Sequence, residues 1–255
     1  MTKLFKKFYG TIVPLSLSIL ITVFACSEEE QQIKPQENVD NELINFLVKS
    51  GFNKEDIKQE DDLFIIDDDI LISKADVKNY VAQDALSEAD TEHYRGPYLV
   101  RNNVVNNIKF FIDGSVPSGW ASAVRRAVNQ WNSINGTRLG MSVVTNRNNA
   151  NTIITTGYSA DNWVARAYLP GSNRQPGHTM TINTRFNYLG AGYKTFTIVH
   201  EMGHIFGLYH TDQTQGTFIP GTPASDPNSV MNSFILPWNG FTNGDKVAVR
   251  TIYPN

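Results

Sequence analysis

The alternation of apolar and polar positions divides the chain into a short apolar start, a polar stretch, an acidic segment and a longer mixed segment. Positions 120–134 carry an apolar stripe at intervals of three and four residues, which predicts an amphipathic helix. Two more helices are predicted, at about 193–206 and 243–252. Apolar runs separated by Asn, Gly and Pro predict strands at about 104–112, 139–145, 152–157, 162–169 and 178–183.

This order of elements predicts an α+β fold for residues 96–255, with a twisted sheet, a helix in the middle of the segment and a C-terminal helix. About 160 residues are ample for one hydrophobic core.

Residues 41–95 form a smaller acidic α/β segment. Leu43, Ile44, Leu47 and Val48 have helical spacing, and short strands at 63–66 and 70–72 flank the triplet at 67–69. The Asp triplet is interpreted as a polar hairpin turn. Calcium binding is the alternative, although the triplet lacks the spaced oxygen ligands and the glycine of an EF-hand loop.

Residues 1–26 have the pattern of an export signal: three lysines precede a nearly uncharged run, too short for a membrane span of about 20 residues. The segment Val23-Phe24-Ala25-Cys26 resembles a bacterial lipobox. That resemblance implies cleavage before Cys26, a lipid anchor on it, and an exported lipoprotein at the outer membrane or cell surface. An ordinary buried cysteine or an uncleaved anchor are the alternatives. Residues 27–40 are polar and are expected to be a flexible linker.

Charge is distributed unevenly. Residues 27–95 contain 19 acidic and 7 basic residues, whereas residues 96–255 contain 6 acidic and 12 basic residues. Opposite charge favours docking of 41–95 onto the rest as a pro-region or lid; a surface spacer is the alternative. The basic residues are scattered and the net charge is −3, so nucleic-acid binding is not expected.

The segment from His200 to His210 reads H-E-x-x-H-x-x-G-x-x-H. On a helix, His200 and His204 lie one turn apart on the same face and can bind one metal ion. His210 can join them only if the helix ends first, and Gly207 can end it because glycine adopts positive φ at low cost.

Three histidines with a water at an open fourth position describe a catalytic zinc site, with one ion per chain. Bound zinc would acidify that water and polarise a substrate carbonyl. Glu201, next to His200, would take the proton from the water and pass it to the leaving amine.

The pattern is the metzincin signature, so the chain resembles that clan of zinc peptidases. The resemblance implies a later methionine in a turn beneath the metal, and Met231 in Ser229-Val230-Met231-Asn232 is the candidate. Astacin-like members have a tyrosine two residues further on, where this chain has Ser233. The resemblance also implies an upper cleft rim that pairs with extended substrate; residues 178–183 are the candidate, with His178 as a strand residue or an extra ligand.

The wider layout resembles the bacterial "HEIGH" metallopeptidases. The features that carry this resemblance are Gly51-Phe52, the Ile-Ile-Asp-Asp-Asp-Ile unit, Thr197 to Glu201, the methionine turn and a terminal Ile252-Tyr253-Pro254. Met202 stands in place of the isoleucine in His-Glu-Ile-Gly-His. The resemblance implies a zinc endopeptidase that acts on protein or peptide substrates, here as a monomer. A zinc-containing surface lipoprotein without turnover, or a structural lipoprotein with a chance motif, are the alternatives. Cys26 is the only cysteine, so latency through a cysteine on zinc is not expected.

Overall fold

A computed structural model describes residues 35–84, 94–213 and 216–255, which belong to one compact unit. The helices are α1 Pro35–Lys49, α2 Lys74–Asp84, α3 Asn102–Val105, α4 Ser118–Asn132, α5 Ala191–Phe206 and α6 Asn243–Ile252. The strands are β1 Ile57–Glu60, β2 Leu63–Ile66, β3 Ile70–Ser73, β4 Tyr94–Arg95, β5 Ile108–Ile112, β6 Met141–Val144, β7 Thr152–Gly157, β8 Ala165–Tyr168, β9 Thr179–Asn183 and β10 Thr217–Phe218. The predicted export signal and Cys26 lie outside the described residues.

Eight strands form one mixed sheet in the order β1-β2-β3-β8-β9-β7-β5-β6. The pairs β5–β6, β5–β7 and β7–β9 are parallel, while β8 runs antiparallel to β9. Strand β3 pairs in parallel with the other side of β8. The sheet and its helices confirm the predicted α+β fold.

The main core lies between the sheet and the crossed pair α4 and α5. The apolar stripe of α4 is buried as the sequence pattern predicts, with Trp120 and Trp131 both fully inaccessible. The indole nitrogen of Trp131 donates to the carbonyl of Val199 on α5 at 3.1 Å, and its ring meets the edge of Phe206. Helix α4 therefore fixes the position of α5 from one side.

The C-terminal segment fixes the end of α5 from another side. The buried Tyr253 hydroxyl accepts a hydrogen bond from the Val100 amide at 2.9 Å and donates to the carbonyl of Phe206, the last residue of α5, at 2.5 Å. Helix α6 carries a capping box between Thr242 and Asp245 at its start.

The acidic segment is built from α1, β1 to β3 and α2. Helix α1 begins at Pro35, inside the stretch predicted as a linker. Its apolar side chains share a second core with residues from the rest of the chain, including Tyr98, Leu169 and Tyr209. On α2, Asp76 accepts from the Ser172 amide at 2.7 Å. Strands from before residue 96 thus belong to the same sheet as those that follow it.

Two local predictions are wrong. Residues 102–105 form a short helix rather than the start of a strand, and the strand begins at Ile108. Strand β9 lies between β7 and β8, so the predicted cleft rim at 178–183 has no edge open to a substrate strand. Strand β8 follows β9 in the sheet, and its other edge is paired with β3.

Across the described ranges, no helix combines the length and apolar character needed to cross a membrane.

Candidate metal centre

The histidine motif lies on α5 and just beyond its end. Helix α5 ends at Phe206, and Gly207 has a φ of +113°, a left-handed conformation that favours glycine. The amides of Gly207 and Leu208 both donate to the carbonyl of Gly203, as in a glycine-terminated helix. The chain then turns back, and His210 lies beside His200 and His204.

The three imidazoles converge on one point. The Nε2 atoms of His200 and His204 lie 3.0 Å apart, and the ring of His210 has its centre 4.9 Å from that of His204 and 5.2 Å from that of His200. All three side chains are buried. The sequence motif therefore places its three histidines in one cluster.

Each imidazole has a hydrogen-bonding partner at Nδ1 that orients the ring. The Nδ1 of His200 lies 2.7 Å from the carbonyl oxygen of Val230, and that of His204 lies 2.8 Å from the carbonyl oxygen of Leu208. A carbonyl oxygen only accepts, so each Nδ1 carries the hydrogen and a neutral ring keeps its Nε2 lone pair for a metal. The Nδ1 of His210 lies 3.2 Å from Asp67 Oδ2. Such partners fix the rotation of ligand histidines.

The turn at residues 229–232 packs against α5 and helps to position the histidines. Met231 is buried against Gly203, where an added Cβ would lie 2.3 Å from the Met231 sulfur. The carboxylate of Asp245 accepts from the Ser229 hydroxyl at 2.6 Å and from the Val230 amide at 3.3 Å. Asp245 thus holds Val230, the residue whose carbonyl orients His200.

Glu201 is 2 % exposed and lines the same cavity as His200. Its Oε2 atom has no hydrogen-bond partner among the residues that the structure describes. Burial, and then the nearby negative charge of Asp69, raise the pKa of Glu201 well above its usual value. A buried carboxylate with a raised pKa is suited to exchanging a proton near neutral pH.

Asp69, in the turn between β2 and β3, is the residue that the sequence interpretation missed. Its Oδ2 lies 3.3 Å from Nε2 of His200 and 3.2 Å from Nε2 of His210. Together with the three histidines it forms a group whose ligand atoms all lie within 4.8 Å of one another. The Asp triplet does form a turn, but its side chains point at the histidines as well as at solvent.

The charges in this cluster are strongly linked. Burial opposes ionisation of Asp69, but the charge of His210 and a hydrogen bond from it outweigh burial, so the pKa of Asp69 is lowered. For His210, burial is outweighed by the charge of Asp69 and by hydrogen bonds to Asp67 and Asp69, which raise its pKa to about 10. Burial and the charge of His200 lower the pKa of His204.

These residues fit a zinc ion. Bonds of about 2.0–2.1 Å in a tetrahedral site place neighbouring ligand atoms about 3.3 Å apart, close to the 3.0, 3.2 and 3.3 Å between Nε2 and Oδ2 atoms here. Two imidazole lone pairs facing each other at 3.0 Å also repel, which a shared cation relieves. Nitrogen and carboxylate donors in a buried tetrahedral set are typical of zinc.

A cavity of about 220 Å³ opens beside the cluster, between the acidic turn, residues 162–165, α5 and residues 232–235. Phe234 and Ile235, both exposed, form its apolar side. Trp238 does not line the cavity; it packs edge-on against Phe241. His178 is exposed, stacks on Tyr168, and lies outside the metal-binding group.

Comparison with known proteins gives one family match. The model of a family described as dual-action HEIGH metallo-peptidase matches residues 64–253. No curated protein sequence matches the chain significantly.

Solved structures with a similar fold include two of myroilysin. The first is 16 % identical to this chain, covers 59 % of this chain and 81 % of its own, and has a TM-score of 0.41. The second is 15 % identical, covers 68 % of this chain and 96 % of its own, and has a TM-score of 0.43. A third is high choriolytic enzyme 1, a hatching enzyme zinc-protease from the medaka fish Oryzias latipes. It is 16 % identical, covers 61 % of this chain and 93 % of its own, and has a TM-score of 0.42.

Proposed function

The chain belongs to the family of dual-action HEIGH metallo-peptidases, and from that membership we propose a zinc-dependent endopeptidase in which Glu201 moves the protons of peptide hydrolysis. The family match confirms the predicted metallopeptidase; the Glu201 mechanism and the site assignments are the proposal. Its main support is a buried carboxylate whose Oε2 atom has no hydrogen-bond partner among the described residues, beside two imidazoles whose Nδ1 hydrogens already bond to carbonyl oxygens.

His200, His204 and His210 would hold the zinc ion. A bound zinc ion supplies Lewis acidity, which polarises a substrate carbonyl and makes a water molecule more acidic. Glu201 accepts a proton from that water on Oε2 and delivers it to the nitrogen of the leaving amine. Because the side chain is buried, its charge is poorly solvated, and proton acceptance is favoured relative to an exposed glutamate.

The substitution Glu201→Gln tests this assignment. It keeps the size of the side chain and removes the base, so we expect zinc content to be unchanged and peptide turnover to fall by about 10²- to 10⁴-fold. Zinc is measured by elemental analysis and turnover with a pool of quenched fluorescent peptides. Both are measured in the natural chain and in an Asp69→Ala background, because Asp69 faces the imidazoles.

The matched control is Glu42→Gln, which alters an exposed glutamate on α1 and should change neither quantity. Retained turnover in Glu201→Gln contradicts the base assignment. Zinc binding without turnover in any background favours the other candidate, a catalytically silent zinc-binding surface lipoprotein.

We also propose that the chain is exported as a lipoprotein and anchored through Cys26, with one zinc ion per monomer. The export and the anchor rest on the sequence of the first 26 residues, and the single zinc ion rests on the one group of potential metal ligands among the described residues. Cys26→Ser should abolish labelling by an alkyne analogue of palmitate and move the protein out of the membrane fraction. Ser27→Ala, beside the cysteine, is the control. Membrane fractionation that does not change in Cys26→Ser refutes the anchor.

A further inference from the structure

The turn between β2 and β3 inserts a carboxylate into the position that faces all three imidazoles. The Oδ2 atom of Asp69 lies within 3.3 Å of two Nε2 atoms. The neighbouring Asp67 lies against Nδ1 of His210 at 3.2 Å. One three-residue turn therefore supplies both a group that faces the metal position and the partner that orients one of its ligands.

The turn is held in this position by its backbone. Asp67 and Asp68 have φ values of +52° and +69°, and the Asp69 amide donates to the carbonyl of Ile66 at 3.2 Å. Two successive positive φ values with this bond describe a type I′ turn, which aspartate accepts more readily than most residues. The carbonyl of Asp69 accepts from the Ala167 amide of β8 at 2.9 Å.

Arg166, on β8, also holds the turn in place. Its Nε donates to the carbonyl of Asp68 at 2.6 Å, and its guanidinium lies over the ring of Trp163. Its side chain is 13 % exposed, so this contact is largely shielded from water. The backbone position of Asp69 is thus set by backbone hydrogen bonds and by a largely shielded arginine, and not only by attraction between its side chain and the histidines.

The second carboxylate oxygen of Asp69, Oδ1, also indicates a metal ligand. Oδ1 is buried and has no hydrogen-bond partner among the residues described. A carboxylate whose only role was structural would be expected to satisfy both oxygens when buried. A carboxylate that binds a cation through Oδ2 gains its stabilisation from the cation instead.

From this geometry we infer that Asp69 is the fourth protein ligand of the metal, and that the β2–β3 hairpin holds the chain in a latent state. The inference rests on the proposed metal site and deepens it. A catalytic zinc site has three protein ligands and an open position, whereas four protein ligands make a closed site. With Asp69 in place, neither water nor a substrate carbonyl has access to the metal.

The strand that follows the turn closes the cleft in a second way. Ile70 and Leu71 pair with Ala167 and Tyr168 of β8, the strand whose beginning lines the cavity. A free edge of β8 could accept an extended peptide through main-chain hydrogen bonds, but β3 already uses that edge. Activation therefore requires displacement of the hairpin, which both opens the metal and frees the strand edge.

The test uses the full chain loaded with cobalt(II), whose visible spectrum reports the ligands of the metal, and titrates it with azide as a small anionic ligand. The variant Asp69→Ala removes the carboxylate, and Asp69→Asn keeps the chemistry of the turn in case the alanine variant folds poorly. The matched control is Asp61→Asn, which makes the same change in the turn between β1 and β2, at an exposed position with positive φ that asparagine accepts.

We expect the natural chain and Asp61→Asn to keep the same cobalt spectrum at azide concentrations that saturate the Asp69 variants. We also expect a chelator to extract the metal at least ten-fold faster from the Asp69 variants. Azide binding of equal strength in the natural chain and the Asp69 variants overturns the inference, because Asp69 would then only pair with histidines in the absence of metal. Failure of every form to bind cobalt instead refutes the metal site of the proposed function, and the inference with it.

Discussion

Gly203 gives the sharpest test of how the methionine turn supports the site. It lies on α5 between Glu201 and His204, and an added Cβ would lie 2.3 Å from the sulfur of Met231 and 2.9 Å from its terminal methyl. Ordinary van der Waals contact begins at 3.4 Å, so Gly203→Ala forces the helix and the turn apart by about 1 Å. Met231 is 1 % exposed and has little room to retreat.

Two opposing contributions decide the effect of Gly203→Ala on stability. Overpacking a filled core costs about 1–3 kcal/mol, while alanine is better than glycine inside a helix by about 1 kcal/mol. The net loss in free energy of unfolding is therefore about 0–2 kcal/mol. No opposing contribution offsets the effect of Gly203→Ala on metal affinity. Movement of Met231 also moves Val230, whose carbonyl orients His200, and loss of such a partner weakens metal binding by about 10- to 100-fold.

The assay is competition for zinc against a chromophoric chelator, combined with urea denaturation of the same samples. Gly192→Ala is the matched control, because it makes the same change on the same helix at a position where the new Cβ meets only ordinary contacts at 3.7 and 3.9 Å. It should leave zinc affinity unchanged. Adding Met231→Ala to Gly203→Ala removes the clash, so the two substitutions should be non-additive by about 1 kcal/mol or more.

Natural zinc affinity in Gly203→Ala would refute the idea that Met231 and its turn set the position of His200. Purely additive effects of the two substitutions would show that the side chains do not meet as described.

Two other substitutions test the frame around the site. Gly207→Ala places a side chain at a φ of +113° and 3.2 Å from the carbonyl of Tyr98, so we expect a loss of about 1–3 kcal/mol in free energy of unfolding; an unchanged urea midpoint would contradict this. Asp245→Asn replaces a carboxylate that accepts from Ser229 and Val230 with an amide that cannot accept on both sides. We expect it to cost about 1–3 kcal/mol and to weaken zinc binding in the same competition assay, and equal zinc affinity would rule out a role in orienting the metal ligands.

The sequence predicts local structure well where one side of an element is buried. The stripe on α4 predicts its buried face because the period of a helix is a local property. The short strands at 63–66 and 70–72 are present because apolar runs bounded by aspartates specify strands and a turn. The four-residue helix at 102–105 is missed because Val104 and Val105 favour a strand in isolation, and tertiary contacts decide such short segments.

Pairing between distant parts of the chain is harder to predict. Nothing in the alternation of 162–169 and 178–183 shows that both strands lie in the interior of the sheet, because the strands that flank them, β3 and β7, come from other segments. Asp69 is missed for the same reason: it lies 131 positions before His200, and no spacing rule connects them. The only signals are the aspartates at the end of an apolar run and the opposite charges of the two segments. The start of α1 at Pro35 has a local signal, since proline favours the first turn of a helix.

The hydrogen bonds of Tyr253 join three segments of the fold that are far apart in sequence. Its hydroxyl reaches both the Val100 amide and the carbonyl of Phe206, which ends α5, so loosening of that helical end also disturbs the partner of the Val100 amide. The rate at which the Val100 amide exchanges its hydrogen with deuterated solvent consequently measures the rigidity of the scaffold that carries the histidines, without any need to observe the histidines themselves.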